Sequence, residues 1–549
     1  MNVEPRLPLK HAATISRDNE MTSHAEVTEP IRETSSAELR VSKLADTSVV
    51  MRNTAWNFAG RAGPIVVALF ATPYLLRAFG DTRWGVFTLA LSLIGIFGIF
   101  DFGLGRALTR TIAERVGAGR EDQAASLVLT GMLALAALGL GGAVLASCLS
   151  GLWVDSGLRI PPDLRGEVRL SLYVLCASAP LVILNAAMWG VIAAYQKFRA
   201  ANLINVPILA MYYLGPLAVL QVWDSLVAAM LVLVGCRLAM TVAYWRLCLR
   251  AMPSLRVASV NFRGLRPLLR LGGWMTVSNL AFPVVAYADR FVIASVLSAA
   301  QTGYYSTPLD LVGRFSIVSV AVMGTVFPAM AGSYRIDPGN TVALFRRSIL
   351  AIAAMVFPAC LAVITFNLPL LTFWLGGDFA AEAASVLPWL GFGALFMCVD
   401  SVAAGLIDGI GRPDVNAKLS LLELVLYVPL LIWLLSAFGL RGAAMAWAAR
   451  CCADTLVRLW LAGRLYPAVA PALRQIVPTL LGAAILLAFL LLLPPTGLLL
   501  RTACVTAAWL LFIAMLWGWS LTPRERATLT VQPGRALLRV RSTLAGGRR

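Results

Sequence analysis

The chain is broken into about fourteen apolar runs, each near the twenty residues that a helix rising ~1.5 Å per residue needs to cross a bilayer. The expected spans are Ala55–Phe79, Trp84–Phe102, Ala124–Leu149, Leu170–Tyr195, Leu203–Val222, Leu226–Leu247 and Leu271–Leu297. Seven more follow: Tyr304–Ala331, Ile349–Leu371, Ala383–Ile407, Leu419–Phe438, Gly442–Gly463, Ile476–Leu493 and Thr502–Leu521. The short alternating segments of a membrane β-barrel are absent. The fold class is therefore an all-α polytopic membrane protein. Only 13% of the residues are charged, against about 25% in soluble domains, so little chain remains for a soluble catalytic domain.

Lysine and arginine set the orientation. With the N-terminus inside, about 34 of the 46 fall on inner segments and about seven on outer ones. Both termini are expected in the cytoplasm. The net charge of +18 thus reads as loop polarity rather than nucleic-acid binding. The outer loops are short, the longest running from Ser150 to Arg169. A membrane-embedded glycosyltransferase or polymerase would need a larger outer acceptor domain.

The halves repeat. Gly190–Val191–Ile192 aligns with Gly405–Leu406–Ile407 at an offset of 215, which also puts Cys236 on Cys451 and Trp245 on Trp460. Near the start of each half the offset is 218, placing Gly85 on Gly303. A repeat of six spans keeps its orientation, so the halves are expected to be related by an axis along the membrane normal. The expected organisation is a disordered cytoplasmic tail 1–52, an N-lobe 53–249, a basic linker 250–269 and a C-lobe 270–466. Two extra spans occupy 467–522, and a basic tail runs over 523–549. This gives two pseudo-symmetric six-helix lobes around a central cavity, plus two C-terminal helices.

Chemistry is sparse. The two histidines, His11 and His24, lie in the tail, and no phosphate-binding GxxxxGK[ST] sequence occurs. The nine cysteines lie in or beside apolar runs with no CxxC pair, as small packing residues do. No cofactor or metal is expected, and the chain does not read as an enzyme.

What stands out is charge at depth, where each isolated charge costs roughly 2.5–3.5 kcal/mol or more. Arg61 lies two turns into the first span beside Asn57, Gly60, Gly63 and Pro64. It could face a cavity or snorkel to the inner surface. Asp289 and Arg290 are adjacent in the seventh span, and Asp310 and Arg314 form an i,i+4 pair in the eighth. A lattice of Asp289 with Arg314 and Asp310 with Arg290 is plausible, either as a lining or as structural glue. Arg450 and Asp454 again stand four apart and are expected to neutralise one another. Arg237, Asp400, Asp408 and Glu423 are the other polar positions at or near depth. A carboxylate among Asp289, Asp310, Glu423 and Asp454 could instead bind a coupling ion. Gly103–Asp122 reads as a helix on the inner leaflet, whose Arg106 and Arg110 suit lipid phosphates.

WNFAGR in the first span, FDFGLGRALTR closing the second, AYADRFVIASVLSAAQTGYYS across the seventh and eighth, and GIGRPDVNAKLSLLELVLYVPL across the tenth and eleventh resemble the Wzx-type oligosaccharide flippases of the MOP exporter superfamily. The resemblance covers roughly Asn53 to Tyr466. It implies a polysaccharide biosynthesis protein of the bacterial inner membrane that opens alternately to each side. The implied substrate is an oligosaccharide repeat on undecaprenyl pyrophosphate, moved outward for O-antigen or exopolysaccharide synthesis. In such transporters a cationic cavity accepts the pyrophosphate, which gives Arg61, Arg290, Arg314 and Asn57 a substrate-binding role. Implied partners are membrane lipids and the polymerase and chain-length proteins of the pathway, with no nucleic acid. The competing readings are a glycosyltransferase or polymerase of the same pathway, and a MATE-like small-cation exporter, whose cavity would be net acidic.

Overall fold

The structure is a computed structural model that describes residues 47–97, 112, 115, 121–195, 197–261, 284–493, 497–523 and 525–526. Of residues 47–62, 121 and 123 only the helical backbone is described. The tail before Thr47, nearly all of Gly103–Asp122, the linker beyond residue 261 and the tail beyond residue 526 lie outside the described residues. Two compact units are distinguished, Met1–Asn53 and Thr54–Arg549, and the spans belong to the second.

Among the described residues every regular element is helical. The first half holds α1 (Thr47–Phe97), α2 (Glu121–Ser156), α3 (Arg165–Cys176), α4 (Ala179–Ala194), α5 (Phe198–Leu220) and α6 (Leu226–Ala251). Helix α7 covers 284–296. The second half continues with α8 (Ala299–Gly313), α9 (Ser316–Ser333), α10 (Pro338–Thr365), α11 (Asn367–Leu375), α12 (Gly377–Ala383), α13 (Leu387–Gly409), α14 (Pro413–Leu465), α15 (Ala470–Leu492) and α16 (Leu498–Met515). Helix α1 starts at Thr47, so the end of the expected disordered tail is helical.

Eleven helical tracts among the described residues are long and apolar enough to cross a membrane. Two of them are hairpins. Gly80 in α1 has φ 70° and Gly439 in α14 has φ 59°, a region that favours glycine because it lacks a Cβ. Splitting both gives thirteen, and α7 is the described part of the remaining expected span. Local chemistry fixes several starts. Ser225 accepts from Val227 N at 3.2 Å and Ser298 from Gln301 N at 3.2 Å. Asp337 accepts from Asn340 N at 2.9 Å, with Pro338 preset at the first helical position.

Turns at one end of the spans are the arginine-poor loops. There Arg83 binds Glu167 and Asp224, each at 3.0 Å. Glu167 in turn accepts from Ser225 Oγ at 3.0 Å and Leu226 N at 2.8 Å, tying three first-half turns together. The chain halves also meet at this end. Tyr304 donates to Asp81 at 2.7 Å, Trp84 Nε1 to Thr307 at 2.8 Å and Trp153 Nε1 to Ser295 at 2.7 Å. Arg159 exchanges backbone bonds of 3.3 Å with Ala294 and Ala299.

Helices α15 and α16 pack on the second half. Phe357 of α10 stacks on Phe512 with centroids 4.0 Å apart. Arg346 and Arg347 of α10 clasp Glu525 just beyond α16, and Arg346 also donates to the Ser520 carbonyl. Burial pushes the Glu525 carboxyl up, but these two guanidiniums and the backbone and hydroxyl of Thr522 hold it down to about 2.

Candidate functional site

A cavity of about 640 Å³ opens between the halves. The volume is typical of a ligand site. Its floor from the first half is uncharged among the described residues: Pro64 and Ile65 of α1, Asn205 and Leu209 of α5. Its charge comes from the second half, and no residue of α15 or α16 lines it.

The wall nearer the arginine-poor end is built by α7, α8 and α9. Arg290 is only 7% exposed and bridges two groups. Its Nη2 donates to Asp310 at 2.6 Å and its Nη1 to Ser92 of α1 at 2.7 Å. Asp289 is 1% exposed and turns away, accepting from Tyr305 Oη at 2.7 Å and from the backbone N of Arg290 at 2.8 Å. The angle of about 100° between neighbours on a helix keeps the two side chains in different grooves.

Arg314 sits where the eighth span breaks between α8 and α9. The bonds there tighten to i→i−3, from Arg314 N to Leu311 O at 3.2 Å and Phe315 N to Val312 O at 3.0 Å. Ser316 Oγ also takes the carbonyl of Gly313 at 2.7 Å. A glycine and serine at such a point explain the bend, and broken helices in a membrane are tolerated where they line a cavity. None of the ion pairs among the described residues includes Arg314, although Tyr213 of α5 lies beside it.

The opposite wall is built by α13 and α14. Arg450 donates to Glu423 at 2.5 Å and lies over the Tyr427 ring, 5.1 Å from its centroid. Arg458 pairs with Asp400 and approaches Glu423 at 3.9 Å. Arg450, Asp454 and Arg458 stand four residues apart and so share one face of α14. Asp454 lines the cavity and belongs to none of the ion pairs among the described residues. Described lining charge is balanced: Arg290, Arg314, Arg450 and Arg458 against Asp310, Asp400, Glu423 and Asp454.

Several expectations change. Arg290 does pair with Asp310, but Arg314 does not pair with Asp289, because Tyr305 reaches that carboxylate first. Arg450 does not neutralise Asp454. Glu423, from the facing arm of the α14 hairpin, offers better geometry than a neighbour on the same helix. The cavity among its described residues is balanced rather than cationic. The side chains of Arg61 and Asn57 lie outside the described residues. Arg458, inside the expected span Gly442–Gly463 but not among the charges singled out there, is 8% exposed and belongs to the cavity, and Asp400 is its partner. The spacing 450, 454, 458 was the available sequence signal, since three charges on one face of a span need a polar environment.

Residues 50–333 match the family described as "Polysaccharide biosynthesis protein". Over 422 residues, 76% of this chain and 98% of the other, the sequence is 27% identical to a protein of Shigella flexneri named "Putative O-antigen transporter". It is 22% identical to a protein of Haloferax volcanii named "Probable low-salt glycan biosynthesis flippase Agl15", over 70% of this chain and 77% of that one. The fold is similar to a solved structure titled "Lipid II flippase MurJ, inward closed conformation". There the TM-score is 0.62 and the identity 14%, over 85% of this chain and 99% of that one.

Proposed function

Because the chain belongs to the polysaccharide biosynthesis protein family, we propose that it is a flippase for lipid-linked oligosaccharide. The substrate we assign is an oligosaccharide repeat on undecaprenyl pyrophosphate, carried from the cytoplasmic to the outer leaflet of the inner membrane. The two similar proteins with transporter and flippase names support this class.

One observation in the site carries the reading. Among the described residues Arg314 faces the cavity at a helix break without a carboxylate partner, one turn from Asp310, which is paired with Arg290. A guanidinium held in that state is a receptor for an anion, and its forked donors suit a phosphate. Arg450 and Arg458 are already neutralised. Asp454 and Glu423 present acceptors that suit sugar hydroxyls. The balanced lining lacks the acidic excess that a small-cation exporter would need.

Transport would proceed by closing one end while the other opens. The contacts of Asp81, Trp84 and Trp153 across the halves hold the arginine-poor end shut, so this state is read as open toward the arginine-rich, cytoplasmic side. The test is a deletion strain. Lipid-linked repeat units should accumulate on the inner leaflet, and surface polysaccharide should be lost. The wild-type gene should restore export, as should Arg256→Ala, which changes an exposed loop residue. Arg314→Ala at equal membrane abundance should not. Normal polymer from Arg314→Ala would remove the anion-receptor assignment. A deletion that accumulates no lipid-linked sugar would remove the flippase reading.

A further inference from the structure

Leu69 and Pro73 stand four residues apart in the described part of α1. In an unbroken helix the N–H of residue 73 would bond the carbonyl of residue 69. Proline has no N–H, and its ring pushes that carbonyl aside. A donor comes instead from the other half of the chain: Trp374 Nε1 of α11 reaches Leu69 O at 2.7 Å. The indole has one donor and no acceptor, so it makes this one bond or none. Trp374 is held at the end of a nine-residue helix that Gly376, with φ 99°, terminates sharply. It also borders a small pocket with Thr72, Trp84, Thr307 and Arg314, between the cavity and the arginine-poor end.

We propose that Pro73 and Trp374 form a latch between the halves that holds the arginine-poor end closed. This rests on the alternate-opening reading above but not on the identity of the cargo. A carbonyl freed by proline suits a reversible contact. Breaking the Trp374 bond unwinds no helix, and water entering an opened path can take the indole's place. An ordinary helical carbonyl, already bonded along its own ladder, would offer a weaker handle. Pro73 is thus a positioning residue for the acceptor, and Trp374 supplies the donor.

The test uses the full chain in lipid nanodiscs, with spin labels carried on unnatural amino acids at exposed Arg77 and Asp378, one on each half near the latch. Trp374→Phe keeps the ring and removes the N–H. It should raise the population of widened label distances about two- to tenfold, the span expected for one neutral hydrogen bond. Pro73→Ala, which returns Leu69 O to its own helix, should shift the distances the same way. The double variant should shift no further than either single one, because both remove the same bond. Unchanged distances in Trp374→Phe, or shifts that add in the double variant, would overturn the latch. Widened distances in a protein that moves no lipid-linked sugar would keep the latch and sink the flippase reading.

Discussion

Gly85 and Gly303 meet backbone to backbone: a Cβ built on Gly303 would lie 3.3 Å from the Cα of Gly85. These are the two glycines that the 218-residue offset of the repeat places on one another. Equivalent positions of a two-fold repeat meet in this way when they lie near its axis. The two sites differ in tolerance. A Cβ on Gly85 would fall 1.8 Å from the backbone O of Ala299, whereas on Gly303 its nearest atoms are 3.1 Å or more away. Gly85→Ala should therefore keep the arginine-poor end from closing and abolish export. Gly303→Ala should retain much of it. Export measured at matched membrane levels checks this, and equal loss in both variants would contradict it.

Arg290 and Arg314 should part company when replaced. Arg290 is buried between Asp310 and Ser92, but Asp310 is 39% exposed on the cavity side, so Arg290→Ala strands a partly hydrated carboxylate and should destabilise the protein by about 1–3 kcal/mol. Among the described residues Arg314 has no ionic partner to strand, so Arg314→Ala should lose export while melting near the wild-type temperature. Arg314→Lys should retain part of the export, since the charge survives but the fork does not. Thermal melts in detergent alongside polymer assays distinguish the two.

The Glu525 clasp makes docking of the segment after α16 depend on pH. Its carboxyl is lowered to about 2 in the folded state, below the ordinary glutamate value of about 4.3. The stabilisation is therefore complete above the ordinary value and is lost as pH falls from there toward 2. Proteolytic cleavage near Thr522 in purified protein should accelerate through that window. Glu525→Gln should be cleaved readily at neutral pH, with a much flatter profile.

Loop charge predicts the topology independently of the cavity. Reporter fusions at Ser156, Asp224 and Asp378 should read outside, and those at Gly119, Ser259 and Pro338 inside. Inverted signals at two or more sites would refute the orientation and, with it, the inward-open assignment.

Much of this was legible from the chain alone. Span length and loop charge are local quantities, written in runs of apolar residues and in the arginines between them. That is why the helical membrane fold followed, and why Arg290 and Asp310 could be matched as opposite charges at depth. Pairings between distant helices were a different matter. Asp454, four residues away, was the expected partner for Arg450, and the choice of Glu423 instead turns on differences of a few ångströms set by the hairpin at Gly439.

By itself the sequence determined an all-helical membrane chain, its loop polarity and the presence of charge at depth. Apolar length and hydration cost act on each segment without reference to the rest. The packing of whole helices settled which charges pair with one another and which remain open. Among the described residues it left Arg314 without an ionic partner, paired Arg458 with Asp400, and gave the Leu69 carbonyl to Trp374 of the other half. The reason is geometric. A hydrogen bond is made or lost over less than an ångström, and that distance is set by how whole helices pack, which no local pattern records.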